Sequence, residues 1–222
     1  MTLIAEIRRR TLLSVALPSS AVALLIGLAL AVGNSGASAA APPDHAAHAD
    51  QAASGYLRSL HQYTIPQVVV VNQDGRRIPL SEVLPSDTPI ALTFIFTHCR
   101  TLCPLLSATL ATLRKNMGGK ADAVRVVSIT IDPQNDTPER LHDYAAQLGA
   151  GAGWQFYTGE TADVDEVLHA FAAYAQVKDE HRPLFFLRAA RSTSWVRFEG
   201  AMTAEALAGE MIQIGTRAAL AR

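Results

Sequence analysis

"FIFTHCRTLCPLL", residues 94–106, holds both cysteines of the chain, Cys99 and Cys103, four positions apart and followed at once by Pro104. Upstream, "PIALTFIF" (89–96) is an apolar run too short for a helix and bounded by polar residues, which predicts a buried central strand. Downstream, "LLSATLATLRKNMG" has helical spacing at Leu106, Leu110 and Leu113, with Gly118 placed to end the helix. Pro104 has no N–H to lose and a fixed φ that suits the first helical turn. The cysteines therefore occupy a strand-to-helix turn. Cys103 falls at the helix N-terminus, where unpaired amides and the macrodipole favour thiolate and should lower a thiol pKa.

Three chemistries suit two thiols there: a structural disulfide, a redox couple and a metal site. A disulfide would close a very short loop, where the entropic gain is small. The spacing is one residue wider than the usual C-x-x-C exchange motif, so two thiolates can point to one place without having to bond. Soft thiolates select copper(I) and similar ions. Two sulfurs leave room for a third donor, and imidazole is the natural one.

The chain has seven histidines. His45 and His48 lie in a polar, Ala/Pro-rich stretch, and His61 precedes a hairpin. His98 adjoins Cys99 but points elsewhere if the segment is extended. His142 and His169 sit on helix patterns. All six read as solvated or structural. His181, in the loop "KDEHRP" just before the strand "LFFL", is placed to cross beside the cysteine turn and complete a Cys₂His set.

The remaining pattern supplies the scaffold. "QVVVVNQDGRRIPL" predicts an N-terminal β-hairpin around Asp74-Gly75. "AVRVVSITI" (123–131) and "WQFYTG" are strands. "DTPERLHDYAAQLG" is a helix capped by Asp136 or Thr137, with Gly149 ending it. "TADVDEVLHAFAAYA" predicts a further capped helix, "LFFLRA" and "SWVRFEG" two adjacent strands with an antiparallel edge, and Thr203 starts the last helix. Alternating strands and helices imply parallel pairing with right-handed crossovers. The expected fold class is α/β: a thioredoxin-like mixed central sheet flanked by helices.

The 222 residues suffice for one such domain plus extensions, and a formal net charge of −1 gives no electrostatic footprint for nucleic acid. Residues 1–39 read as a signal peptide or membrane anchor: basic Arg8–Arg10, an apolar core peaking at 21–32, and Ala37-Ser38-Ala39 as an A-x-A cleavage pattern. Cleavage after Ala39 is expected, and Arg9-Arg10 also fits a twin-arginine signal. A retained anchor, residues 11–32, is the competing reading. Residues 40–59 are expected to be a flexible tether and 60–222 the domain. Both readings of the N-terminus place the domain in the periplasm or on the outer face of the cytoplasmic membrane.

With "THCRTLCP" (97–104), "DPQNDTP" (132–138) and His181 in this order, the chain resembles the Sco/SenC copper-delivery family, whose signature is T-x-C-P-x-x-C-P, then D-P-x-x-D-T-P, then a histidine shortly before a strand. The resemblance runs over roughly residues 60–215. It implies a thioredoxin-like fold, copper as the bound metal, and Cys99, Cys103 and His181 as its ligands. It also implies a copper-acceptor protein, a cytochrome c oxidase subunit, and a thiol reductant protein as partners. Some members are credited with thiol-disulfide chemistry, which would make Cys99 and Cys103 a redox-active pair, disulfide-bonded when oxidised. Two departures touch the rim of the site rather than its donors: Arg100 stands where the family often has proline, and Arg182 where serine commonly follows the histidine. A third departure is that "LRAARSTSW" lacks the usual Asp/Gly turn. In the matched motif, Asp132 and Asp136 read as a strand end and a helix cap; a role for Asp132 in orienting the site is the competing reading.

Two functions follow from these residues: an exported copper(I) carrier, or a periplasmic thiol-disulfide oxidoreductase that uses the same cysteines without metal.

Overall fold

The computed structural model describes residues 55–99, 103–118 and 123–220. Residues 1–39, expected as a signal peptide or anchor, most of the expected tether with His45 and His48, and Arg100 lie outside the described residues. Among the described residues no helix is long and apolar enough to cross a membrane.

The chain runs β1 (Tyr56–Gln62), β2 (Val69–Asn72), β3 (Arg77–Pro79), α1 (Leu80–Val83), β4 (Ile90–Ile95) and α2 (Cys103–Met117). It continues through β5 (Arg125–Thr130), α3 (Pro138–Leu148), β6 (Trp154–Gly159), α4 (Thr161–Ala170), a 3-10 turn (Lys178–Glu180), β7 (Leu184–Arg188), β8 (Ser194–Gly200) and α5 (Ala204–Leu220). One eight-stranded sheet is ordered β1-β8-β7-β4-β5-β6-β2-β3. β4, β5 and β6 are parallel, and the other neighbours pair antiparallel. The mixed sheet and the central place of β4, buried at all six positions, match the sequence reading.

Three elements differ from it. β1 starts at Tyr56, inside the stretch expected as tether, and pairs with β8 along seven residues. The pair β7–β8 is therefore not an edge; β1 and β3 are. α4 stops at Ala170 instead of running to Ala175, because Ala172 turns to φ +50°. The Ala172 N–H then donates to His169 O (3.0 Å) and the Ala173 N–H to Leu168 O (2.8 Å), a Schellman ending without glycine. Its N-cap, Glu160, makes no side-chain capping bond.

Two apolar layers sandwich the sheet. On one face Phe94, Phe171, Phe186 and Trp195 meet edge-on, with ring centroids 5.4–5.9 Å apart. On the other, Trp154 stacks on Phe156 and Phe156 meets Tyr144 of α3. Two hydroxyls are buried in that second layer. Thr93 bonds Ser128 at 3.1 Å, and Ser128 accepts the Trp154 indole N–H at 2.9 Å, so neither is left unsatisfied.

The antiparallel register brings the two predicted halves of the site to one end of the sheet. Ile90 pairs with Arg188 and Thr93 with Phe185. The entry to β7, which follows His181, therefore lies beside the exit of β4, which leads to Cys99.

Candidate metal centre

Both cysteines are thiols. The chain leaves β4 through a turn in which the Cys99 N–H donates to Phe96 O (3.2 Å). Cys103 opens α2, and its backbone N–H donates to Cys99 Sγ at 3.3 Å. The helix N-terminus thus faces the sulfur of Cys99, the half-buried cysteine, rather than that of Cys103.

This corrects the expectation for Cys103. Its side chain is buried, and burial pushes the thiol up to about 12. The Phe96 amide favours the thiolate, but the nearby Cys99 and Asp136 oppose it. Desolvation outweighs the helix terminus because Cys103 points inward with Leu106 and Leu110, the same buried stripe that anchors α2. Behind it, Ser107 and Tyr144 hydroxyls bond at 2.9 Å.

The segment 132–138 braces both halves of the site. Asp136, fully buried, is not the cap of α3; Thr137 is, accepting from the Arg140 N–H, and Pro138 and Gly149 take their expected places. Asp136 instead accepts from the Thr97 N–H (3.1 Å), the Thr97 hydroxyl (2.5 Å) and the Thr130 hydroxyl (2.5 Å). It ties the start of the cysteine turn to the end of β5. One turn earlier, Asp132 accepts both Asn135 Nδ2 contacts (2.9 and 3.0 Å) and forms an ion pair with Lys178. Burial works against ionising Asp132, yet the Lys178 and Asn135 hydrogen bonds, with the charge of Lys178, hold its carboxyl below the usual range.

His181 follows the 3-10 turn and donates its backbone N–H to Lys178 O at 3.0 Å. The side chain is buried, and its Nε2 has no hydrogen-bond partner. Burial pulls the imidazole below its ordinary pKa, against the Phe94 and Ala173 backbone acceptors. A buried, neutral ring with an unsatisfied nitrogen is costly unless it serves something. The other described histidines are engaged elsewhere. His61 bonds Ser59 (2.8 Å), His98 meets Arg140 (3.1 Å), His142 lies 3.6 Å from Asp74, and His169 stacks on Tyr174.

The structure brings the two thiols together and sets His181 at the neighbouring strand end. Among the described residues, no three His, Cys, Asp or Glu side chains form a metal-holding group. Sequence reasoning missed Lys178 altogether and misassigned Asp136. The available signal was the adjacent Thr137: a motif that already holds a threonine cap leaves its second aspartate for another task. Arg182 turns away to Glu199 of β8 at 2.5 Å.

The family model described as SCO1/SenC matches residues 60–214. The chain belongs to the SCO1/SenC family. Over 114 residues, half of this SCO1/SenC chain, it is 34% identical to the SCO1 protein homolog of Bacillus subtilis (strain 168), and that match covers 58% of the relative's length. BsSco, described as a member of the Sco family of cytochrome c oxidase assembly proteins in which a disulfide switch was identified, matches with 25% identity and a TM-score of 0.58. The match covers 70% of this chain and 95% of that one. Bradyrhizobium japonicum ScoI with copper bound shares the fold at 22% identity and a TM-score of 0.53, covering 69% and 98%.

Proposed function

We propose that this chain is an exported copper(I) carrier that captures the ion with Cys99 Sγ, Cys103 Sγ and His181 Nε2 and passes it to a respiratory copper protein such as a cytochrome c oxidase subunit. The observation that carries this reading is the buried, partnerless Nε2 of His181, on the loop that enters β7 beside the exit of β4. Backbone acceptors at Phe94 and Ala173 face the ring, while Nε2 is left without a partner for a soft metal ion to take. A soft three-donor set suits copper(I) and leaves the ion reachable by an incoming thiolate, so transfer proceeds by ligand exchange with no change in copper's oxidation state. The copper-bound ScoI structure and the assembly role stated for BsSco support the same cargo and acceptor class.

Because the three donors are not grouped, capture draws the thiols and imidazole together. The buried Cys103 thiol, with its pKa near 12, must lose its proton as it meets the ion. The cysteines must also be reduced. A dithiol partner would supply two electrons and two protons and itself become a disulfide.

Copper(I) titration of the reduced and the oxidised domain tests the reading. Reduced protein should bind one equivalent, and oxidised protein far more weakly, as should Cys99→Ser and Cys103→Ser. Equal affinity in both redox states would refute a thiolate site. The rival function, thiol-disulfide exchange, has its own support in the thiol pair with Cys99 Sγ held by the Cys103 N–H. It predicts reductase activity that is indifferent to His181. For location, the A-x-A pattern at 37–39 predicts a mature N-terminus at Ala40 in the periplasm; full-length chain in washed membranes would make residues 11–32 an anchor.

A further inference from the structure

The loop that carries His181 is tied to the rest of the site by a charge. Lys178 opens the 3-10 turn, and its ammonium pairs with Asp132. The backbone bonds around it are local: Glu180 N–H to Val177 O and His181 N–H to Lys178 O, both 3.0 Å. On the N-terminal side of the turn Tyr174 and Val177 are open to solvent, at 46% and 50% exposure; on the other side His181 and Leu184 are buried. No exposed side chain on the N-terminal side anchors Lys178; its charge contact is with Asp132.

The geometry points to the Lys178–Asp132 ion pair as the positioning element for His181: Asp132 fixes the Lys178 side chain, and the Lys178 carbonyl in turn holds the backbone of the histidine. This rests on the reading of His181 as a copper donor and adds to it how the imidazole is kept in reach of the thiols.

An exposed ion pair would contribute little. This one is different on the acidic side. Asp132 is 5% exposed and is locked from below by Asn135. The Asp132 carbonyl also accepts the N–H groups of Asn135 (3.0 Å) and Asp136 (2.9 Å), so the carboxylate stands on the same rigid turn as Asp136, which holds Thr97. One turn thereby sets the cysteine turn through Asp136 and the histidine loop through Asp132. Side chains that orient a metal ligand without touching the metal change metal affinity when removed, by about 10–100-fold. Lys178 is half-exposed, so its replacement by methionine keeps the stem and removes only the charge.

The test compares Lys178→Met, Lys178→Arg, His181→Ala and the double variant Lys178→Met/His181→Ala, each confirmed folded by thermal melting. Copper(I) affinity of the reduced proteins is read by competition with a chromophoric copper(I) chelator. The midpoint potential of the Cys99/Cys103 couple is measured on the same samples. Lys178→Met should weaken copper(I) binding about tenfold, and Lys178→Arg should recover most of that loss. Lys178→Met should cost nothing further once His181 is alanine, and the thiol potential should not move. An equal loss in both backgrounds, a shifted potential, or full affinity in Lys178→Met would overturn the positioning role while leaving His181 as a donor. Wild-type affinity in His181→Ala would instead remove the donor reading, and this proposal with it.

Discussion

Asp136→Ala should damage both the fold and the cysteine turn, and the structure sets the size of the effect. The carboxylate is fully buried and serves three donors: the Thr97 N–H, the Thr97 hydroxyl and the Thr130 hydroxyl, at 2.5–3.1 Å. A buried donor left without its acceptor costs about 1–3 kcal/mol. Thr130 is buried, so its hydroxyl carries that cost in full, and it already spends its acceptor side on the Asp132 N–H at 2.9 Å. Thr97 is only half-buried, and water can reach its two donors in part. The sum is about 3 kcal/mol, which in a domain of this size lowers Tm by roughly 6–12 °C. Thermal melts of the reduced protein, wild type against Asp136→Ala, measure it. Release of Thr97 should also speed alkylation of Cys99. A loss under about 1 kcal/mol, with unchanged Cys99 reactivity, would show that Asp136 is not the brace described here.

Two further outcomes check other parts of the account. In reduced protein at neutral pH, iodoacetamide should label Cys99 well before Cys103, since Cys103 is buried with its thiol near pKa 12; Cys103 labelling should rise only as the pH is taken towards that value, and equal rates at pH 7 read by mass spectrometry would contradict the burial argument. Gly200→Ala should destabilise by about 2 kcal/mol or more, because Gly200 holds φ +123° and an added Cβ would sit 2.7 Å from Gly55 O and 3.0 Å from Tyr56 Cα; a neutral substitution in urea unfolding would mean that β1 does not pair with β8 as described.

What could be read from the chain alone depended on whether the signal was local. β4 and α2 were legible because an all-buried strand writes itself as a contiguous apolar run, and because Pro104, Leu106, Leu110 and Leu113 mark the next helix within a few residues. β1 was not. It is an edge strand with Leu57 and Leu60 exposed at 55% and 65%, so it lacks the alternation that identifies a strand with one buried face. The end of α4 was hidden because Ala172, not a glycine, takes the positive φ there. In the site, the thiol pair followed from the spacing, but the rise in the Cys103 pKa did not, because it comes from the burial of that side chain in the folded domain. Thr97, which Asp136 holds, and Asp132, which pairs with Lys178, lie 39 and 46 positions from those residues, beyond the reach of any local pattern. Neither helix capping nor charge patterning reports them.

Whether His181 is a copper donor beside the two thiols is decided by one variant. His181→Ala removes the imidazole and leaves both cysteines on their turn, where the Cys103 N–H still reaches Cys99 Sγ. Copper(I) affinity and disulfide reductase rate are measured on the same reduced preparation. Copper(I) binding should weaken and delivery should be lost, with the Cys99–Cys103 disulfide still forming and still reducible. Copper(I) affinity equal to that of the wild type would contradict the donor role and would put thiol-disulfide exchange first.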